Sequence, residues 1–115
     1  MSDNCIFCKI VSGEIPSKLV YEDEVCLAFN DISPQAPTHI LVIPREHFAS
    51  LNEAGENHKE VLGHMMLKTA EIAAQKGISE KGYRVVINTN YDGGQTVFHL
   101  HIHLLGGRQF IFPPG

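Results

Sequence analysis

Three histidines alternate with aliphatic residues near the end of the chain, in the stretch His99-Leu100-His101-Ile102-His103-Leu104-Leu105. Strict alternation is the period of a β-strand, so the sequence predicts that the three imidazoles share one face of a strand. The leucines and isoleucine between them would enter a core on the other face. Neighbouring imidazoles would be anchored roughly 6 to 7 Å apart, which allows several of them to contact one small ligand.

An imidazole face of this kind is a costly choice for a purely structural strand. Imidazole is bulky, can be charged near neutral pH and needs hydrogen-bond partners when it is buried, whereas Thr or Val would pack on a sheet without these requirements. Two functional interpretations remain open from the histidines alone. Neutral imidazole is a metal ligand, and it is also a nucleophile or proton carrier in phosphoryl transfer.

Length, charge and cysteine content narrow the class of protein. The chain has 115 residues, of which 43% are hydrophobic, and this predicts one compact domain spanning residues 1–115. A net charge of -4 without any basic run argues against a nucleic-acid partner. No apolar run is long enough to span a membrane, and the N-terminus lacks signal-peptide character, so we expect a soluble cytoplasmic protein with no membrane partner. Three cysteines cannot all pair within one chain, which disfavours a secreted disulfide scaffold.

Hydrophobic periodicity and turn residues predict an α+β fold with a five-stranded antiparallel sheet, one long helix and one or two short helices. A short helix over residues 5–12 would be capped by Asn4 and end at Gly13. A second short helix is predicted within residues 46–54. The long helix is predicted over residues 57–75, because the apolar residues there form one stripe at helical spacing. Gly77 can end this helix. The five strands are predicted at residues 19–22, 25–30, 38–44, 83–88 and 99–105.

A glycine-containing turn leads directly into the histidine strand, with the sequence Tyr91-Asp92-Gly93-Gly94-Gln95-Thr96. Its glycines allow backbone N–H groups to approach a phosphate closely, and Gln95 and Thr96 offer side-chain donors. Most Gly-Gly pairs are plain turns, but this one lies beside the histidines. Its position therefore favours phosphate chemistry.

A second candidate site is the pair Cys5 and Cys8, which has the spacing of a metal knuckle or a redox motif. The chain lacks the βαβ pattern expected of a thioredoxin-like redox motif. A zinc ion would need about two further ligands, which are usually histidines. The cysteine pattern by itself leaves zinc binding, unliganded thiols and redox use open.

Four motifs together resemble the histidine-triad superfamily, and specifically its nucleotide-binding Hint branch. They are the triad itself, Asp31-Ile32-Ser33-Pro34, Pro37-Thr38-His39-Ile40-Leu41-Val42-Ile43-Pro44 and Gly93-Gly94-Gln95-Thr96-Val97. The similarity covers nearly the whole chain. It implies a homodimer in which two five-stranded sheets join. It also implies hydrolysis of purine nucleoside 5'-phosphoramidates and aminoacyl adenylates through a covalent nucleotidyl-histidine, with no divalent cation in the chemistry.

The resemblance also implies roles for individual residues. His101 would be the nucleophile, His103 would contact the phosphate and the leaving amine, and His39 would support the active imidazole. The α-phosphate of an AMP or GMP derivative would be held by Asn88, Gly94, Thr96 and Val97. Asp31 would bind the ribose hydroxyls, and the purine base would be enclosed by four apolar residues, Ile32, Phe7, Ile10 and Phe29.

The resemblance further implies a structural zinc ion, because zinc-bearing relatives have ligands at the positions of Cys5, Cys8, His47 and His99. The transferase branch has Gln at the third triad position, so His103 favours hydrolysis over transfer. Three residues depart from the common Hint pattern. Asn30 stands where many members have His, Thr96 replaces Ser, and Phe112 replaces a Trp of the tail.

Two other functions compete with hydrolysis at the histidine nucleophile. A scaffold that only binds purine nucleotides would need the pocket residues but not His101. A metallohydrolase would need more carboxylate ligands near the histidines, and Asp92 is the only acid close to them in the sequence. The presence of His39, His101 and His103 together favours an enzyme.

Overall fold

A computed structural model describes residues 4–115 and contains one antiparallel sheet of five strands. The strands are β1 Leu19–Glu22, β2 Cys26–Asn30, β3 Thr38–Pro44, β4 Tyr83–Val86 and β5 Ile102–Gly106. Two α-helices accompany them, α1 Ile6–Ser12 and α2 Lys59–Gln75, with short 3-10 turns at Leu51–Glu53 and Glu56–His58. The predicted α+β class, with a five-stranded antiparallel sheet and one long helix, is confirmed.

The strand order in the sheet is β1-β2-β3-β5-β4, so the last strand lies between the third and the fourth. This arrangement makes β5 a central strand, and it places His103 directly opposite Leu41 of β3. His39 of β3 lies opposite Leu105 in the same register. Two histidines that are 64 positions apart in the sequence therefore come within hydrogen-bond distance.

The two faces of the sheet pack against different helices. Leu100, Ile102 and Leu104 are buried in the core beneath α2, as the alternating pattern predicts. On the opposite face, Phe7 of α1 packs with apolar residues of β2 and β3, and Phe7 and Phe29 make an edge-to-face contact at 5.6 Å between ring centres. Truncating Ile102 or Leu104 to alanine would cost about 2–5 kcal/mol, the range typical of fully buried aliphatic side chains.

The histidine strand is shorter than predicted, because β5 begins at Ile102 and not at His99. His99 and Leu100 bond instead to the end of β3 and to the segment that follows it: the Leu100 N–H donates to Phe48 O at 2.8 Å, and His99 Nε2 donates to Pro44 O at 2.8 Å. These bonds hold the segment after β3 beside His99 and Leu100. Of the helix predicted within residues 46–54, only the 3-10 turn Leu51–Glu53 is present. Strand β4 also ends two residues early, at Val86.

Helix α1 starts one residue later than predicted and has a different cap. Cys5, not Asn4, is the N-cap residue, and its Sγ accepts a hydrogen bond from the Cys8 N–H at 3.3 Å. The predicted stop at Gly13 is confirmed, since this glycine has a φ of 82° and its N–H donates to Ile10 O. A left-handed residue after the last helical turn is a common way to end a helix.

Candidate active site and adjoining Cys–His cluster

A cleft of about 390 Å³ opens between α1 and the sheet. Nine of the residues predicted for the site line it: Phe7, Ile10, Phe29, Asp31, Ile32, Thr96, Val97, His101 and His103. Its walls are mainly apolar on the α1 side, while the two triad histidines and the Asp31 carboxylate supply polar groups. A mostly apolar concave site with a few convergent polar groups is typical of small-molecule binding.

His101 is held in one tautomer by the backbone. Its Nδ1 lies 2.8 Å from the carbonyl oxygen of His99, and because a carbonyl can only accept, Nδ1 carries the proton and donates it. In the neutral ring the lone pair is then on Nε2. Phe7 contacts the ring edge-on at 5.2 Å between ring centres, which restrains it on the apolar side of the cleft. The His101 ring therefore presents an unprotonated nitrogen for nucleophilic attack or for binding.

His103, in the cleft, is hydrogen-bonded to His39, which lies behind it. The Gln35 N–H donates to His39 Nδ1 at 3.0 Å, so neutral His39 carries its proton on Nε2. That proton is donated to His103 Nδ1 at 2.9 Å, and the Asp31 carboxylate lies 3.4 Å from the same His39 nitrogen. Neutral His103 consequently carries its own proton on Nε2. The two triad histidines in the cleft thus differ: His101 offers a lone pair, and His103 offers an N–H donor.

The environment keeps these imidazoles neutral at physiological pH. Burial lowers the pKa of His103 to about 4, assisted by the neighbouring His101 and His39, while the Asp31 carboxylate acts in the opposite direction. Burial also lowers the pKa of His101 and of His39, and in both cases the Asp31 carboxylate limits the shift. A neutral ring is the form that can attack as a nucleophile.

Three predicted site residues are placed differently from the nine that line the cleft. His39 lies behind the cleft, in contact with His103. Asn88 and Gly94 do not line the cleft, and Asn88 Nδ2 donates to Gly93 O at 2.6 Å within the turn. Gln95, which the sequence suggested as a donor to phosphate, is buried, and both protons of its amide are donated to backbone carbonyls.

Sequence reasoning missed several residues that line the cleft. Ile15, Pro16 and Ser17, in the connector between α1 and β1, close one side of the cleft. Ile6, Asn30 and Leu41 complete the lining. The apolar Ile-Pro pair in a short connector was the one available signal, because an exposed linker would more often be polar.

The predicted metal ligands come together beside the cleft. Cys5, Cys8, His47 and His99 each place one ligand atom within 4.8 Å of the other three. His99 Nδ1 lies 3.3 Å from Cys5 Sγ, 3.5 Å from Cys8 Sγ and 3.1 Å from His47 Nδ1. None of the three cysteines in the chain forms a disulfide.

The donor set of this cluster fits a tetrahedral zinc ion. Zinc held by two thiolates and two imidazoles at its usual bond lengths would separate its ligand atoms by roughly 3.3 to 3.8 Å, close to the observed distances. His99 Nε2 donates to Pro44 O, so the Nδ1 lone pair faces the cysteines, and such a carbonyl partner is typical of a metal-bound histidine. Burial lowers the pKa of His99 to about 4, which keeps this ring neutral. Cys5 and Cys8 at the start of α1, His47 after β3 and His99 before β5 therefore form a candidate zinc centre.

Comparison with known proteins identifies the family. The family model for the HIT domain matches residues 12–110 of the chain. The chain belongs to the HIT family. A HIT hydrolase of Legionella pneumophila, solved by crystallography, superposes with a TM-score of 0.95 at 52% identity, covering 97% of this chain and all of that one. The resemblance stated from the sequence is thereby confirmed.

Three relatives of this HIT protein are named for an activity or for a metal. The purine nucleoside phosphoramidase of Escherichia coli K12 is 53% identical over 108 residues, which cover 94% of this chain and 91% of the relative. A maize protein named as a 14 kDa zinc-binding protein is 54% identical over 112 residues, 96% of this chain and 87% of the relative. A zinc-bound histidine triad protein of Mycobacterium smegmatis has a TM-score of 0.78 at 34% identity, covering 91% of this chain and 76% of that one.

Within residues 4–115, neither helix is long and apolar enough to cross a membrane.

Proposed function

We propose that this HIT protein hydrolyses purine nucleoside 5'-phosphoramidates, and aminoacyl adenylates by the same route, through a covalent nucleotidyl-histidine on His101. The observation that carries the proposal is the tautomer of His101. Its Nδ1 proton is committed to the His99 carbonyl at 2.8 Å, which leaves the Nε2 lone pair for the phosphorus atom. The 53% identity with the phosphoramidase of E. coli supports the choice of substrate.

Each part of the substrate has a counterpart in the cleft. Phe7, Ile10, Phe29 and Ile32 provide apolar surface for the purine base, and Asp31 provides a carboxylate for the ribose hydroxyls. Thr96 and Val97 lie at the phosphate end, beside the two triad histidines. Asn88 and Gly94 would join the phosphate contacts only if the turn moved closer to the bound ligand.

The reaction proceeds in two displacements at phosphorus. In the first, His101 Nε2 forms a bond to the α-phosphorus as the P–N bond breaks, and the amine departs with one proton taken from solvent. The Nε2–H of His103 would donate a hydrogen bond to the phosphate or to the departing nitrogen. In the second, water attacks phosphorus, the bond to His101 breaks, and one proton returns to solvent. The nucleoside monophosphate leaves with His101 neutral again.

Asp31, His39 and His103 also bring three possible metal ligands close together, but their hydrogen bonds oppose a metallohydrolase. Because Gln35 donates to His39 Nδ1, the lone pair of that ring is already used, and Nε2 holds a proton. A metal ion could bind His39 Nε2 only after this hydrogen bond was lost. The arrangement therefore favours catalysis by the imidazoles themselves.

The Cys–His cluster would serve the enzyme as a structural zinc site, held by Cys5, Cys8, His47 and His99. A bound zinc ion would fix the relative positions of the three segments that supply its ligands. We further propose that the protein is a cytoplasmic homodimer, with the sheets of two subunits joined.

The decisive experiment is hydrolysis of adenosine 5'-phosphoramidate by the wild type and by His101→Ala, with EDTA present throughout. We expect the wild type to retain its activity in EDTA and the variant to lose at least about 10³-fold in kcat, as in enzymes whose nucleophile is removed. Rapid quenching should trap a nucleotide covalently bound to the wild type only. Full activity of His101→Ala would exclude this nucleophile, and tight AMP binding without turnover by the wild type would favour a nucleotide-binding scaffold.

A further inference from the structure

In the turn that precedes the triad, all residues from 91 to 96 are exposed except one. Tyr91, Asp92, the two glycines and Thr96 all lie at the surface. Gln95 is the exception, because its side chain points into the protein and the residue is only 6% exposed. An exposed turn with few apolar contacts has little to define its shape, so this one buried polar side chain has a large influence on it.

The side-chain amide of Gln95 donates both of its N–H protons, and its oxygen accepts one hydrogen bond. Nε2 donates to Ala49 O at 2.7 Å and to Val97 O at 3.0 Å, and Oε1 accepts from the Asn90 N–H at 2.9 Å. The backbone N–H of Gln95 donates to Asn90 O at 3.0 Å. One side chain thus closes both ends of the turn and ties them to the segment after β3.

The other hydrogen bonds of the turn lie within residues 88–95. They run from Asn88 Nδ2 to Gly93 O, from the Gly94 N–H to Tyr91 O and from the Gln95 N–H to Asn90 O. None of these three connects the turn to the segment after β3, while Val97, at the end of the turn, packs against the apolar cluster of α1, β2 and β3. Thr96 and Val97, which line the phosphate end of the cleft, follow Gln95 immediately in the chain. The position of Thr96 relative to His101 consequently depends on where Gln95 is anchored.

We propose that Gln95 is a positioning residue: its amide holds the turn of residues 90–97 at the distance from His101 that phosphate binding and transfer require. Gln95 does not touch the substrate itself. The proposal rests on the proposed function for the identity of the ligand, but it makes a separate claim about which part of the nucleotide is affected. Loss of the anchor weakens contacts to the phosphate and leaves contacts to the base and ribose unchanged.

The test compares ligands with and without the phosphate. Gln95→Met keeps the length of the side chain and removes its hydrogen bonds, and Gln75→Met makes the same change on an exposed residue of α2. Calorimetric titration should show that AMP binds Gln95→Met about tenfold more weakly than the wild type, a loss typical of one or two hydrogen bonds. Adenosine should bind both proteins within about twofold, and Gln75→Met should match the wild type for both ligands.

A second variant separates the anchor from general loss of stability. Gln95→Glu keeps the acceptor for the Asn90 N–H but places a carboxylate oxygen against the Ala49 and Val97 carbonyls, so the turn should be displaced while the cores remain intact. We expect the same selective loss for AMP, faster amide hydrogen exchange confined to residues 90–97, and a fall in kcat of about 10²-fold with adenosine 5'-phosphoramidate.

The outcomes distinguish this proposal from the proposed function. Equal losses for AMP and adenosine, or unchanged AMP affinity in both folded variants, would overturn the role of Gln95. A wild type that does not hydrolyse phosphoramidates would overturn the proposed function, yet a selective loss of AMP affinity in the variants would still establish Gln95 as the anchor of the turn.

Discussion

At the scale of single residues, the three triad histidines differ in one hydrogen bond each. His99 donates from Nε2 to Pro44 O, and His101 donates from Nδ1 to the His99 carbonyl. His103 accepts at Nδ1 from His39. The first bond turns the His99 lone pair toward two cysteines, the second turns that of His101 toward the cleft, and the third leaves His103 with a donor. The alternating sequence cannot express these differences, because they depend on partners far away in the chain.

The buried neutral state of His103 predicts how stability depends on pH. Burial lowers the pKa of His103 to about 4 in the folded protein, whereas an unfolded histidine titrates near 6.5. Between these values the unfolded chain binds a proton that the native protein does not bind. The contribution of His103 to the free energy of unfolding is therefore complete above about pH 6.5 and is lost as the pH falls toward about 4.

His103→Asn tests this prediction, because the asparagine Oδ1, bonded to Cγ as Nδ1 is, can still accept from His39 but the side chain does not titrate. Urea unfolding of both proteins from pH 4 to 7 should give a shallower decline for the variant, and the difference between the two curves isolates His103. Parallel curves would show that the native protein protonates His103 as readily as the unfolded chain does.

At the scale of elements, the segment that leads into β5 and contains His99 and His101 lies outside the sheet, whereas His103 lies within β5. Residues 95–101 make no pairing in the sheet, since β5 begins at Ile102. They are held by the carbonyl of Pro44 at the end of β3 and by the Phe48 and Ala49 carbonyls of the segment after β3. These carbonyls accept from His99, Leu100 and Gln95, respectively. The Cys–His cluster adds a fourth connection between the same two segments and joins both to α1. It takes the place of the strand pairing that this segment lacks.

Removal of one cluster cysteine should therefore release the metal and loosen this segment. We expect purified wild type to contain about one zinc per chain and Cys8→Ser to contain almost none. The midpoint of thermal unfolding should fall by several degrees, and hydrogen exchange should accelerate at residues 5–12 and 95–101. Cys26→Ala is the matched control: Cys26 is buried in the core beneath α2, so its loss should cost stability without changing the zinc content. Retention of zinc by Cys8→Ser would remove Cys8 from the ligand set.

The sequence predicted those parts of the fold that follow local rules. Periodicity located β3 at residues 38–44 as observed, and the glycine rule placed the end of α1 at Gly13. Its errors share a cause in long-range contacts. Alternation predicts that the last strand begins at His99, because the sequence around His99 does not reveal the hydrogen bonds that Phe48 and Pro44 make with this part of the chain. Asn4 is the better cap by propensity, yet Cys5 caps α1 because the cluster fixes it there. The sequence predicts Gln95 as a phosphate donor because one of the carbonyls that its amide reaches, that of Ala49, lies 46 positions away.

At the scale of the whole molecule, the sheet has two unpaired edges and several exposed apolar residues. Strands β1 and β4 are the edges, and an unpaired edge is a natural surface for joining two sheets. Leu67 of α2 is 70% exposed, and Ile111 and Phe112 of the tail are 77% and 85% exposed. Apolar side chains of this size at the surface favour contact with another protein surface, and the proposed homodimer would cover them.

Leu67→Lys should weaken this dimer, because burial of an unpaired ammonium in an apolar interface opposes association. Sedimentation at tens of micromolar should give the wild type a mass of twice the 12.7 kDa chain, and the variant should dissociate at least about tenfold more readily. Gln75→Lys adds the same charge at the exposed end of α2 and should stay dimeric unless that end belongs to the interface. Phosphoramidate hydrolysis per chain, followed across the same concentrations, will show whether the cleft works without its partner. A monomeric wild type would contradict the proposed dimer, and an unchanged Leu67→Lys dimer would place the interface away from Leu67.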